Sequence, residues 1–177
     1  MARVGTRLSL IEVALLLCLL GVVLAIFVPT FVRRVRTNKI NEAAELLQTM
    51  SLRASAYYDT TWSSSKRHCL PPGAGPTPEA PTVDSEEVDF FSSEVSGHAT
   101  WEALDFQPAR PIRFSYEFMP SRDGCELGVG PEPGTVVFRA EGDLDGDGVR
   151  STFERRATIG REGFRPSDAL LVHQRTE

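Results

Sequence analysis

The sequence is poor in the residues from which catalytic sites are built. Its three histidines, His68, His98 and His173, are scattered, with no metal-ligand spacing between any two. No Gly-x-Ser-x-Gly, phosphate-cradling glycine loop or dinucleotide fingerprint occurs. Asp and Glu pairs are plentiful, but in an acidic domain these are solvated surface far more often than general acid–base pairs. The chain therefore reads as non-catalytic. Basic residues are also scarce beyond position 39. Residues 1–39 hold six basic residues (Arg3, Arg7, Arg33, Arg34, Arg36, Lys39) and one acid, Glu12, which leaves 13 basic and 23 acidic residues, a net charge of −10, for 40–177. Such a domain repels nucleic acid phosphates and suits cations better. Cysteine is limited to three. Cys18 lies in an apolar run, where a thiol is a small hydrophobe, so Cys69 and Cys125 are the candidates for a disulfide in an oxidising compartment.

What is abundant is apolar sequence near the start. From Val13 to Val28 no polar residue interrupts the run, and Leu8, Leu10, Ile11, Phe31 and Val32 extend it toward the ~20 residues of a membrane span. A cleaved secretory signal would have a shorter core, ~7–15 residues, and a small-x-small cleavage site. This run is longer and ends in Pro29, Phe31 and a basic cluster. A plain anchor would not explain Glu12, because a carboxylate in a membrane helix costs roughly 2.5–3.5 kcal/mol on insertion scales.

The pentad Leu8-Ser9-Leu10-Ile11-Glu12, the apolar run, and Pro29 seventeen residues after Glu12 resemble the class III signal and N-terminal helix of type IV pilins and type II secretion pseudopilins. The likeness covers roughly residues 1–58. It departs from the family at Arg7, where Gly is strongly preferred before the cleavage point, and at Leu8, usually Phe. The resemblance implies a cytoplasmic leader, 1–7, removed between Arg7 and Leu8 by a prepilin peptidase. It implies that Glu12 pairs with the N-terminal amine of a neighbouring subunit. It also implies sibling pilin subunits, inner-membrane assembly machinery and the lipid bilayer as partners, and no nucleic acid. The implied placement is a single pass of the bacterial inner membrane, with the N-terminus cytoplasmic, the C-terminal domain periplasmic, and a cell-surface filament on assembly. Arg3 and Arg7 agree with that orientation, whereas Arg33, Arg34, Arg36 and Lys39 count against it by charge alone.

Beyond the hydrophobic segment, 8–32, the spacing predicts that the helix continues over 33–58. Ile40, Ala43, Leu47, Met50, Ala54 and Tyr57 recur at steps of three and four, with Glu42, Glu45, Gln48 and Arg53 off the stripe. One helix of about 50 residues, ~75 Å long, is expected, kinked at Pro29. Residues 59–177 then form a β-rich head. Its Pro/Gly-rich stretch, 68–84, reads as a surface loop. Trp101–Phe106 reads as a helical turn, and strands are expected at 112–118, 135–140 and 169–173. The fold class is α+β, a long helix on a small antiparallel sheet.

Asp143-Leu-Asp145-Gly-Asp147-Gly148-Val149-Arg-Ser151-Thr-Phe-Glu154 matches the twelve-residue calcium-loop spacing. Asp143, Asp145 and Asp147 would offer carboxylates, Val149 its carbonyl, Ser151 a water and Glu154 a bidentate carboxylate. A strand rather than a helix precedes the loop, and Arg150 stands where an apolar residue is usual. The plainer reading is an Asp/Gly-rich hairpin turn. The expected function is a structural subunit of a pilus or pseudopilus, its head stabilised by calcium. The alternative is a membrane-tethered extracytoplasmic calcium-binding module that never polymerises.

Overall fold

The computed structural model describes residues 9–65, 68–125, 133–143, 146–160 and 163–173; the side chains of 29–39 and 62–65 are not described. The chain divides into two units, 1–38 and 39–177. Helix α1, Leu10–Ser65, is 56 residues long and belongs to both. After it come β1 (Cys69–Leu70), β2 (Ala74–Thr77), α2 (His98–Ala103), β3 (Ser115–Pro120), β4 (Gly124–Cys125), β5 (Gly134–Gly142), β6 (Ser151–Gly160) and β7 (Gly163–His173). The fold is α+β. All strand pairings are antiparallel, in a five-stranded sheet of order β2-β3-β5-β6-β7 and a separate two-stranded sheet, β1-β4.

In the first unit, Leu10–Val28 is a helical segment of 19 residues, apolar but for Glu12, with none of its residues buried. It is long and apolar enough to cross a membrane, and an N-terminal signal sequence shares those two properties.

In the second unit, the helical stripe is the core. Ala43, Leu47, Met50 and Ala54 are fully buried, and Ile40 packs against them at the margin. The stripe closes on Tyr58 rather than Tyr57, which is only half-buried, and the helix runs seven residues past 58. Opposite the stripe, alternation along β5 sends Val136, Phe138 and Ala140 inward and Val137, Arg139 and Glu141 outward. Tyr116, Phe118, Phe153, Ala157 and Ile159 complete that inner face. Phe90, Trp101 and Phe106 close the end in mutual edge-on and tilted contacts, centroids 5.3–5.6 Å apart. Trp101 Nε1–H donates to Thr77 Oγ1 at 3.0 Å, so the one polar atom of the buried indole is satisfied.

Two polar contacts seat the helix. Glu42 accepts from the Arg113 backbone N–H at 2.8 Å and from its guanidinium at 3.2 Å. Arg53 reaches Asp105 at 2.6 Å, just beyond α2.

Two expectations fail here. The stretch 68–84 is not a surface loop: it contributes β1 and the edge strand β2, and it buries Leu70, Ala74 and Thr77. Gly75, with φ +97°, makes this approach possible, since a Cβ there would run into the Tyr116 carbonyl. The second is β6, which begins at Ser151, inside the segment read as a twelve-residue loop. It alternates Phe153, Ala157 and Ile159 inward with Thr152, Glu154, Arg156 and Thr158. The strand expected at 169–173 is longer, β7, and carries a bulge. Arg155 pairs with Leu170 and Ala157 with Pro166, so 167–169 face Arg156 alone, and Arg155 donates to the Ser167 carbonyl at 3.1 Å.

The docking of the stripe yields a contrast within one helix turn and a half. Leu47 is 0% exposed and Leu52 58%. Leu47→Ala should destabilise the head by about 2–5 kcal/mol. Leu52→Ala should stay within about 0.5 kcal/mol of wild type, as read by chemical denaturation of the full chain in detergent micelles.

Candidate functional site

Three places carry the residues that the sequence singles out. The first is the start of α1. Arg7 and Leu8 lie outside the described residues. Glu12 sits in the first helical turn and its carboxylate accepts from the Ser9 N–H at 2.7 Å, while Ser9 Oγ accepts from the Glu12 N–H at 3.3 Å. This reciprocal pair is a capping box, with Ser9 as N-cap and Glu12 three residues on, and it satisfies two helix-end donors. The Ser-x-x-Glu spacing ahead of an apolar run is its sequence signature. Glu12, Leu15, Leu16 and Leu19 line a shallow groove along one side of the helix. Pro29 lies within α1, its side chain outside those described.

The second place is the turn between β5 and β6. Asp145 lies outside the described residues. Asp143 uses both carboxylate oxygens on the turn itself, accepting from Gly146 N–H at 2.7 Å and Gly148 N–H at 3.0 Å. Asp147 accepts from the Val149 N–H at 2.7 Å. Gly146 and Gly148 hold φ of +82° and +89°, the left-handed region that a tight turn needs. Ser151 is buried at the first position of β6.

Glu154 is not with these groups. It pairs with Arg139 across the β5–β6 ladder, four residues before Asp143 and ~13 Å along the strand. Its Oε1 accepts from Arg139 Nε and Nη2 at 3.0 and 2.8 Å, and its Oε2 from Arg156 at 3.0 Å. Arg139 also meets Glu117 on β3 at 3.4 Å. The result is a row of alternating charge on the outward face, with Leu171 of β7 at its end. Burial would raise the Glu154 carboxyl, whose side chain is 8% exposed, but the Arg139 and Arg156 bonds and charges outweigh it and hold the carboxyl below its ordinary value of 4.5. Among the described residues no three of Asp, Glu, His and Cys gather as a cation cage. Calcium coordination by Glu154 would require both arginines to give it up.

The third place is the disulfide. Cys69 and Cys125 are bonded, and they are direct partners in the β1–β4 ladder. Cys69 is buried and its N–H donates to Thr61 Oγ1 of α1 at 3.1 Å; Cys125 is exposed. Cys18 is a free, exposed thiol on the apolar helix.

No family model, curated protein or solved structure matches the chain.

The charged row makes a prediction with a definite sign. A carboxyl whose pKa is depressed on folding stabilises the fold above its unfolded value and loses that stabilisation as pH falls. The melting temperature of wild type should therefore fall more steeply below pH 4.5 than that of Glu154→Gln. At neutral pH, Arg139→Ala should cost about 2–3 kcal/mol, since it strips Oε1 of both donors while the carboxylate stays buried. Thermal melts across pH 3–7 check both.

Proposed function

We propose that this chain is a structural, non-catalytic subunit of a type IV pilus or a type II secretion-like pseudopilus, anchored and assembled through its N-terminal helix. The observation that supports the reading most is α1. A single helical element carries an all-round apolar span, Leu10–Val28, with an acid in its first turn, and a one-sided stripe, Ile40–Tyr58, on which an antiparallel head is built. A free-standing globular domain has no use for the first part, and a simple anchor has none for the second. Leu8–Glu12 and Pro29 supply the register of the pilin signal. On this reading the leader 1–7 and the N-terminus are cytoplasmic, the head is periplasmic, and sibling subunits pack along the apolar helix.

A second reading makes the chain a membrane-tethered calcium-binding module that does not polymerise. It is favoured by the complete twelve-residue spacing from Asp143 to Glu154. It must account for a turn that Asp143 and Asp147 already fold, and for the arginines on Glu154.

Two measurements separate the readings. On the filament reading, protein from membranes begins at Leu8 by N-terminal sequencing, and Glu12→Ala abolishes surface filaments while the head folds normally. An intact Met1 together with a functional, monomeric Glu12→Ala protein would sink it. On the calcium reading, the melting temperature rises by several degrees in calcium over chelator, and an unchanged melt assigns the acids to the turn.

A further inference from the structure

We propose that the Cys69–Cys125 disulfide is a reducible latch, opened by a dithiol without unfolding the head. It does not depend on the filament reading. The bond joins two strands of two residues each, which form a sheet of their own apart from the five-stranded one. A ladder of two pairs has little stability in water without a cross-link. The β4 side lacks other anchorage among the described residues: Gly124 and Cys125 are both exposed, and neither belongs to the hydrophobic core. On the β1 side the neighbours stay anchored, because Leu70 is buried in the core and the Cys69 N–H is bonded to Thr61 of α1. Breaking the bond therefore releases one strand and leaves the other in place.

The asymmetry also directs the chemistry. Cys125 is the exposed partner and Cys69 the buried one, so a thiolate approaches Cys125 Sγ. Attack forms a mixed disulfide between the reductant and Cys125 and expels Cys69 as a thiolate, which takes up a proton. The reductant's second thiol then closes on its first, freeing Cys125 as a thiol. Two electrons pass from the dithiol to the protein, and the dithiol leaves as its cyclic disulfide. A protein dithiol of the thioredoxin type or a small dithiol can do this. What opens is β4; the β3–β5–β6 ladders and the α1 stripe contain neither sulfur.

The test uses the full chain in detergent micelles at pH 8 with dithiothreitol and no denaturant. Alkylation followed by peptide mapping reads Cys69 and Cys125 apart from Cys18, and amide hydrogen exchange reads the strands. We expect both cysteines to be labelled, exchange at Gly124 to rise at least tenfold, and exchange at Val136–Ala140 to change less than twofold. Labelling that requires denaturant would overturn the latch. So would labelling that strips protection from β5 and β6, because the bond would then be a staple of the whole fold.

Discussion

The inner face of the sheet shares its core with one stripe of α1, and the Phe90, Trp101 and Phe106 group joins the same cluster. Phe114, Tyr116, Phe118, Val136, Phe138 and Phe153 are fully buried in one cluster with Ala43, Leu47, Met50, Ala54 and Tyr58 of the stripe. Ala43, Leu47, Met50 and Ala54 are all fully buried in that cluster. Burial of this kind is worth roughly 1.5–3 kcal/mol for each large side chain, so a handful of stripe positions decides whether the head folds. Glu42 then ties the helix to Arg113, and an exposed ion pair joins Arg53 to Asp105. Without the stripe the sheet would be left with one apolar face in water.

That dependence decides which parts of the fold can be read from the sequence and which cannot. The stripe is legible because apolar residues recurring at a period near 3.6 over twenty positions fit one face of a helix and do not fit a strand. Its last member is ambiguous, since Tyr57 and Tyr58 both satisfy a step of three or four, and only the core decides for Tyr58. β3 and β5 alternate cleanly. β6 is hidden because Glu154, Arg155 and Arg156 stand together, which breaks a simple in–out pattern, and because the calcium-loop spacing competes for the same residues. Arg155 occupies an inward-facing position and reaches the β7 bulge instead of the core, a tertiary solution that no local pattern announces. β2 is hidden by Pro and Gly, which signal a loop until the close approach of Gly75 to β3 is seen. The cysteines could be named as candidates, but pairing depends on two short strands meeting, and that is fixed by topology rather than by spacing.

The outward face follows a different rule. With 23 acids against 13 bases in residues 40–177, most carboxylates repel one another. Placing Arg139 between Glu117 and Glu154, and Arg156 beside Glu154, concentrates scarce positive charge where a carboxylate is least solvated. The alternating row allows charged residues to occupy central strands without a like-charge neighbour across the ladder. Twelve residues at calcium spacing thus serve two local ends in this fold. The first part folds a turn through Asp143 and Asp147, and the last residue accepts from Arg139 and Arg156. A motif defined by spacing assumes that its ligands share one loop, and a strand beginning at Ser151 carries the twelfth position away from the first.

Glu12 poses the same question at the start of the apolar helix. Its position in an apolar helix invites a functional role, yet the Ser9 capping box is a sufficient local reason for it: the carboxylate accepts a backbone donor that the helix end would otherwise leave unsatisfied. Cap and functional role differ in charge, not in geometry. Capping satisfies donors but leaves a full negative charge, and in a medium of low dielectric one backbone N–H does not offset it. Glutamine at this position would still accept from Ser9, so capping alone does not require an acid. The helix dipole also favours an acid in the first turn, and a cation or water at that turn would offset the rest of its charge. The filament reading supplies the cation, the amine of a neighbouring chain, and therefore asks more of Glu12 than the cap does. Capping is what the chain does for itself; on the filament reading, the charge is what it offers to a neighbouring subunit.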